Sequence, residues 1–196
     1  MATIVASMSM SLDGFIAGPE HQIDQVFSWH QSGDVAIPVT IGSKDYTFNV
    51  GPVDAKYLTE SWAEVGAILC GRGLFDLTQG WGGAHPVGQP IVCYSRGIPE
   101  GWEDRTEVTF ADTIEGAAEA ARKIAGDRLV GVSGTRIVAE LLNNGLLDAI
   151  DISVVPVLIG KGLRFFDGLK TTPLALDGPT VIEGEGATHL RYTVRK

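Results

Sequence analysis

The stretch that most constrains the fold runs from Leu129 to Leu142, where an apolar strand passes through a small-residue turn into a helix. The run 129–132 is typical of a buried strand, and it breaks at Ser133-Gly134. Apolar residues then recur at helical spacing, at Ile137, Val138, Leu141 and Leu142. Free backbone N–H groups and the positive end of a helix dipole meet at such a turn, which suits a phosphate group. A plain tight turn that needs glycine explains the same pattern, so both interpretations stay open.

The same kind of strand-to-helix turn is predicted twice more. The apolar run 67–70 ends at Gly71-Arg72, and the run 90–94 ends at Ser95-Arg96. A cation at a helix start is unfavourable unless an anion lies near it, and a hydroxyl beside a guanidinium can bind a phosphate monoester. Arginines that simply face the solvent explain both positions as well.

The order of elements predicts the fold class. Strands alternate with helices, and the chain closes with two strands, 180–183 and 188–195, across the turn 184–186. This order predicts an α/β fold with a mixed, mostly parallel sheet, helices on both faces and an antiparallel hairpin at one edge. Ligands bind outside the carboxyl ends of parallel strands, so the three polar turns are expected to share one edge of the sheet. No linker divides the chain, so a single domain over 1–196 is expected.

Several other segments have simple interpretations. Residues 20–33 predict a short helix with Asp24 on its polar side. Residues 34–53 lack a helical period and predict an inserted loop or a small hairpin. The long β-branched run 149–159 predicts a central strand, in which Pro156 would mark a bulge or an edge.

Composition excludes several classes of function. A formal charge of −9 argues against a nucleic-acid binder or a protein of anionic membranes. No apolar stretch approaches the roughly 18–20 residues of a membrane span, and the N-terminus lacks the basic flank of a signal peptide, so a cytoplasmic location is expected. Cys70 and Cys93 lie in apolar runs and are expected to be buried and reduced. Without nearby histidines they predict no metal site.

Five short motifs occur in order over nearly the whole chain: Ser11–Ala17, Gly71-Arg72, Ser95-Arg96, Ser133–Thr135 and Pro156–Phe166. Together they resemble the dihydrofolate-reductase-like superfamily. The closest resemblance is to the C-terminal reductase domain of the bifunctional riboflavin-biosynthesis deaminase/reductase and to its stand-alone relatives. This resemblance implies a three-layer dihydrofolate-reductase-like sandwich, an NADPH-dependent reductase, a small-molecule substrate and a homodimer.

The resemblance also implies site residues, position by position. The adenosine-phosphate side of the cofactor corresponds to Gly71, Arg72, Ser95 and Arg96. The pyrophosphate turn corresponds to Ser133, Gly134, Thr135 and Arg136. The mobile loop near the nicotinamide corresponds to Ala17 and Gly18. Asp13 matches the aspartate of the Ser-Leu-Asp-Gly motif, and Asp24 is the candidate counterpart of the helix acid that binds pterin in dihydrofolate reductases. These two carboxyl groups, or a bound water, are the candidate proton donors.

Two departures from the riboflavin enzymes bear on the substrate. Those enzymes carry a lysine where this chain has Ser7, and Glu-Gly-Gly where it has Val132-Ser133-Gly134. The missing charges argue against a phosphoribosylaminouracil substrate and leave the cofactor interpretation unchanged. We therefore expect a reductase similar to 5-amino-6-(5-phosphoribosylamino)uracil reductase that acts on a small pterin- or aminopyrimidine-like heterocycle. A dihydrofolate reductase proper, a non-catalytic NADP-binding protein and a flavin-binding domain are the alternatives.

Overall fold

A computed structural model describes residues 1–170 and 172–196. In chain order, its elements are β1 (Ile4–Ser11), β2 (Phe15–Ala17), β3 (Val35–Ile41), β4 (Lys44–Val50), α1 (Pro52–Glu64), β5 (Val65–Gly71), α2 (Arg72–Leu77), β6 (Ile91–Tyr94), β7 (Val108–Ala111), α3 (Ile114–Ala125), β8 (Leu129–Ser133), α4 (Thr135–Asn143), β9 (Ala149–Val155), β10 (Leu163–Arg164), β11 (Leu176–Glu183) and β12 (Thr188–Val194). A 3-10 helix covers Ser28–Gln31, and Gln79–Gly83 forms a left-handed turn with φ of 56°, 50° and 67° at Gly80, Trp81 and Gly82.

An eight-stranded sheet with the strand order β11-β12-β9-β1-β8-β5-β6-β7 forms the centre of the fold. The strands from β9 to β7 run parallel, whereas β12 and β11 are antiparallel and close one side as a hairpin. The predicted mixed, mostly parallel sheet with a C-terminal hairpin is therefore confirmed. The parallel strands all end on one side of the sheet, which we call the carboxyl edge.

One face of the sheet packs against α3 and α4. Helix α4 turns its buried side chains Ile137, Val138 and Leu141 toward this face, which confirms the helical spacing read from the sequence. Helix α3 buries mainly alanines, which allow its backbone to approach the strands closely. Full burial of one aliphatic side chain contributes about 1.5–3 kcal/mol, so this layer supplies much of the driving force for folding.

The opposite face, which we call the α1 face, carries two separate apolar clusters. The Trp29 cluster consists of Trp29, Val50, Ala55, Tyr57, Leu58, Val155 and Ala187. The Trp81 cluster consists of Cys70, Phe75, Trp81, Ile91, Cys93 and Val108. The two cysteines are buried, free thiols on directly paired positions of neighbouring strands, as expected for small apolar residues. Helices therefore cover both faces, as predicted.

Two segments differ from the sequence-based expectation. Residues 20–33 are not an α-helix but turns that lead into the 3-10 helix Ser28–Gln31. One buried side chain holds this segment in place: the indole of Trp29 donates a hydrogen bond to Ser9 Oγ at 2.9 Å. There is no buried apolar stripe of the kind an α-helix would present, since Ile23 is exposed. Strand β9 stops at Val155, because Pro156 has no N–H to continue the ladder.

The remaining expectation for the chain before α1 is confirmed. Residues 35–50 form an antiparallel hairpin, β3–β4, that pairs from Val35 with Val50 to Ile41 with Lys44.

No helix among the described residues is both long and apolar enough to span a membrane. Among the residues that the structure describes, no three His, Cys, Asp or Glu side chains are grouped so that they could hold a metal ion.

Candidate functional site

A crevice opens between β1 and β8 at the carboxyl edge. Strand β8 ends at Ser133, whereas β1 continues to Ser11 and from Ser7 onward pairs only with β9. The Ser133 hydroxyl donates a hydrogen bond to the Ser7 carbonyl at 3.3 Å, which places these two residues at the same level. Beyond this level the turn into α4 replaces β8 beside β1, and Ser7 is exposed to solvent.

The turn into α4 presents backbone rather than side chain. Gly134 has φ 106° and ψ 149°, a conformation that residues with a Cβ rarely adopt. Thr135 begins the helix and is buried, while Arg136 in the first turn is exposed. The N–H groups of this first turn have no partner within the helix and lie toward the carboxyl edge. The geometry suits an anionic group at this point.

Arg72 joins the turns that follow β5 and β6. Its Nε donates to both carboxylate oxygens of Asp76, at 2.6 and 2.8 Å, and its Nη1 lies 3.4 Å from both Ser95 Oγ and the Gly97 carbonyl. Ser95 is buried and donates its own hydroxyl hydrogen to the Gly97 carbonyl at 2.6 Å. The predicted helix after Ser95 is absent, because turns lead from there into β7.

Three cations thus lie at the carboxyl edge of a strongly acidic chain. Arg72 begins α2, Arg136 lies in the first turn of α4, and Arg96 follows β6; all three are exposed. The whole chain carries a formal charge of −9. A negatively charged ligand is therefore attracted locally to this edge rather than by the field of the whole molecule.

Asp13 ties two loops together at the end of β1. Its carboxylate accepts hydrogen bonds from the Ser11 hydroxyl at 2.6 Å and from the backbone N–H groups of Ile159 and Gly160 at 3.1 and 2.7 Å. The Ser11 hydroxyl, helped by these two N–H groups against the effect of desolvation, lowers the pKa of Asp13 to about 2. The group is therefore ionised at neutral pH, which makes it a poor proton donor and a good anchor.

The loop that carries Ala17 and Gly18 is fixed by the same region. Strand β2 pairs with β10, with Ala17 opposite Leu163 and Phe15 opposite Arg164. The Arg164 guanidinium lies over the Phe15 ring at 4.4 Å. The candidate nicotinamide loop is therefore held against residues that follow β9, close to the end of β1.

Asp24 lies on a turn and is exposed, so it is not an acid of the first helix. The acid in the first turn of the first α-helix is Asp54, which is fully buried. Its Oδ1 lies 2.9 Å from His189 Nε2, and its Oδ2 accepts from the backbone N–H groups of Glu185 and Gly186 at 3.0 and 2.9 Å. The proline at the start of α1 was the available sequence signal for this acid, and the inserted hairpin that separates it from residues 20–33 obscured it.

His189 satisfies the Asp54 carboxylate from within the protein. A carboxylate only accepts, so His189 Nε2 carries the proton and Nδ1 accepts from Ser153 Oγ at 2.8 Å. The imidazole is stacked on Tyr57 at 3.6 Å and packs edge-on to Trp29 at 5.3 Å. Burial lowers the pKa of His189, although Asp54 acts in the opposite direction. This closed arrangement leaves Asp54 unavailable to an external heterocycle.

The two departures from the riboflavin enzymes fall in different environments. Ser7 is exposed in the crevice. Val132 is fully buried in the core against α3 and α4, on the opposite face of the sheet. Only the departure at Ser7 therefore changes the chemistry of the crevice directly.

Two cavities lie away from this edge. A cavity of about 460 Å³ lies between β3 and α1, and a cavity of about 110 Å³ lies between α1 and β12. Neither is lined by Ser7, Ser133 or the edge arginines. The polar groups of the chain converge instead at the carboxyl edge, beside the crevice at Ser7.

Comparisons with known proteins agree with this architecture. Over residues 2–185 the chain matches the model of the RibD C-terminal domain. It is 25% identical over 179 residues to the protein YwjB of Bacillus subtilis strain 168, covering 89% of this chain and 88% of that one. Among solved structures, a riboflavin biosynthesis protein of Shewanella sp. PV-4 superposes with a TM-score of 0.68 at 20% identity, with complete coverage of both chains.

The same fold occurs in a dihydrofolate reductase of Enterococcus faecalis solved with NADP(H), at a TM-score of 0.57 and 16% identity over 99% of this chain and 97% of that one. At such identities the likeness shows the dihydrofolate-reductase-like fold alone. The family match extends over nearly the whole chain and includes all the residues of the crevice and the edge turns. The chain belongs to the RibD C-terminal domain family.

Proposed function

We propose that this protein is an NADPH-dependent reductase that transfers a hydride to a small, planar heterocycle of the pterin or aminopyrimidine type. The observation that carries the proposal is the meeting of three polar turns at one sheet edge beside the crevice at Ser7. Membership of a family named for a riboflavin-pathway domain supports it.

The groups at this edge fit the cofactor. Arg72 and the adjacent Arg96 offer the guanidinium donors that a phosphate monoester needs, and the Ser95 hydroxyl would turn to it from the Gly97 carbonyl. The turn 133–136 would hold the pyrophosphate through backbone N–H groups, and Gly134 leaves room for its approach. Ala17 and Gly18 would border the nicotinamide. When bound, NADPH supplies the hydride, and the chain supplies orientation and exclusion of water.

The candidate acids have different roles in this proposal. Asp13 is a positioning residue, because its ionised carboxylate holds the loops at the end of β1 and carries no proton at neutral pH. Asp24 is exposed and stays a candidate proton donor together with a bound water. Replacement of Asp24 by Ala and measurement of the pH profile of kcat would separate these two sources.

The crevice favours a substrate without a phosphate group. With serine at position 7, a substrate phosphate buried there would lose several kcal/mol, roughly the penalty for a charge without a partner. A pterin ring would bind without the helix carboxylate that dihydrofolate reductases use, because Asp54 is already saturated by His189 and two backbone N–H groups. An uncharged, flat ring compound matches both features.

Steady-state oxidation of NADPH tests the proposal, with the phosphorylated riboflavin-pathway intermediate, dihydrofolate and an uncharged dihydropterin compared side by side. We expect the dihydropterin to be reduced. The phosphorylated intermediate and dihydrofolate carry anionic phosphate and glutamate groups, for which Ser7 offers no cationic partner, and should be poorer substrates. Efficient reduction of the riboflavin intermediate would mean that serine at position 7 does not disfavour a substrate phosphate. Saturable NADPH binding without any turnover would favour the non-catalytic alternative, and a yellow purified protein would favour a flavin.

A further inference from the structure

The hairpin β3–β4 lies across the α1 face between the two apolar clusters. Near its base, Ile37 and Phe48 pack against the Trp29 cluster. Near its tip, Ile41 packs against the Trp81 cluster, and the turn at Gly42 lies next to Trp81 and Gly82. The hairpin is therefore held at both ends and spans the gap between the clusters.

The residues beneath this gap are those of the crevice. Ser7 lies on the same face as Ser9, which bonds to Trp29, because alternate residues of a strand share a face. Ser133 pairs with Cys70, a member of the Trp81 cluster, and so points to this same face. Ser7 and Ser133 therefore form the floor between the two clusters, and the hairpin passes over it.

Two paired side chains in the middle of the hairpin point toward the sheet, and they differ in how much of their surface is exposed. Val39 and Tyr46 are directly paired and share the inward face with Ile37 and Ile41. Val39, on the strand next to α1, is only 5% exposed, whereas Tyr46, on the other strand, is 45% exposed. The strand β3 lies next to α1, and β4 lies next to the 3-10 helix Ser28–Gln31. Tyr46 is not among the side chains that pack against either cluster, so its ring is the inward group of this pair that stays available to a ligand.

We propose that Tyr46 forms the outer wall of the substrate site and determines which substrates fit. Its ring packs against the edge of a planar heterocycle that stands between the hairpin and Ser7, so that a face of the heterocycle stays open to the nicotinamide. This inference rests on the proposed reductase function. An uncharged aromatic ring and two hydroxyls match a neutral ring compound, and they supply no positive charge to a substrate phosphate. The inserted hairpin thus acts as a specificity element.

Cross-linking tests the position of Tyr46 without cofactor or turnover. A Ser7→Cys/Tyr46→Cys variant is treated with a short bismaleimide, while the native Cys70 and Cys93 are protected by burial. We expect one intramolecular cross-link, detected by mass. The control is Ser7→Cys/Thr47→Cys, in which the neighbouring side chain is exposed on the outward face of the same strand. Two separate adducts are expected there, and equal behaviour of the two pairs would overturn the proposal.

Fluorescence titration with pterin as the probe, in the presence of saturating NADPH, tests the contact itself. We expect Tyr46→Ala to weaken pterin binding about 5- to 10-fold, the size of one aromatic contact, and Tyr46→Phe to retain it. Thr47→Ala should change nothing, and the Kd for NADPH should be the same in all variants. Equal pterin binding by Tyr46→Ala and Thr47→Ala would refute the proposal that Tyr46 forms the outer wall of the substrate site. Failure of every variant to bind NADPH would instead refute the proposed function, and the cross-link would still decide the position of the hairpin.

Discussion

Gly134 allows the backbone of the turn into α4 to face the crevice, and its φ of 106° makes any other residue there strained. We expect Gly134→Val to lose NADPH binding while the fold is kept, at a cost of about 1–3 kcal/mol in the free energy of unfolding. Circular dichroism, thermal unfolding and NADPH titration measure these effects. Gly145, at the other end of α4, also has a positive φ and open space around it. Gly145→Val is therefore the matched control, expected to be strained but to bind NADPH normally.

Arg72 is the side chain that connects two of the edge turns, through Ser95 and Gly97. Its replacement by Gln should reduce the preference for NADPH over NADH by roughly one charge-assisted contact, about 1.5–3 kcal/mol. Affinity for NADH should change little, because NADH lacks the 2′-phosphate. Arg128→Gln is the control, because the side chain of this exposed arginine hydrogen-bonds only to Gln89 among the described residues. A uniform loss for both cofactors would mean that Arg72 supports the fold of the edge rather than the phosphate.

Asp13 should make stability depend on pH in the acid range. Its pKa is lowered to about 2 in the folded chain, from an ordinary value of 3.8. The stabilisation is therefore complete above the ordinary value and is lost as the pH falls through about 2. We expect wild type to melt at a higher temperature than Asp13→Asn at pH 6, with most of the difference gone by pH 2. A difference that is the same at both values would show that the carboxylate charge is not what holds the two loops.

At the scale of elements, the junction between α1 and the β11–β12 turn depends on Asp54. This carboxylate is fully buried and is satisfied by His189 and two backbone N–H groups. Asp54→Ala leaves those buried donors without an acceptor, so we expect a loss of about 3–5 kcal/mol in urea unfolding. Asp104→Ala, at an exposed position, should stay within about 0.5 kcal/mol of wild type. A small effect at Asp54 would mean that water replaces the carboxylate.

Elements with a strong local signal could be predicted from the sequence, and elements fixed by distant contacts could not. The turn from β8 into α4 has its strand, its glycine and its helical apolar spacing within fourteen residues, 129–142. Residues 20–33 show apolar spacing as well, but contact with Ser9 places Trp29 in a 3-10 helix instead. The pattern at Ser95 predicted a helix that is absent, because nothing local distinguishes a loop from a helix start there.

The candidate site also combines features with a local sequence signal and features that depend on contacts between distant parts of the chain. The sequence was sufficient to place the polar turns at one edge, because parallel strands that alternate with helices have little choice of topology. It was not sufficient to identify Asp54 as the helix acid, since the pairing with His189 joins positions 135 residues apart. The proposed position of Tyr46 over the crevice likewise depends on where the hairpin tip docks, which no periodicity reveals.

At the scale of the whole molecule, an acidic chain concentrates exposed cations at one edge of its sheet. With a formal charge of −9, the molecule as a whole repels anions, while Arg72, Arg96 and Arg136 lie together where β5, β6 and β8 end. Affinity for an anionic cofactor must then come from short-range contacts at this edge. Those contacts are screened by salt far less than a long-range field would be.

Titration of the purified protein with NADPH and with NADH, followed by nucleotide fluorescence, tests the central claim most directly. We expect saturable binding of both cofactors, with NADPH tighter by roughly 1–3 kcal/mol, because charge-assisted bonds to its 2′-phosphate are worth about that much. Such a difference corresponds to about 5- to 150-fold in Kd. Equal affinities for the two cofactors, or no binding of NADPH, would contradict recognition of the 2′-phosphate by the arginines of the carboxyl edge.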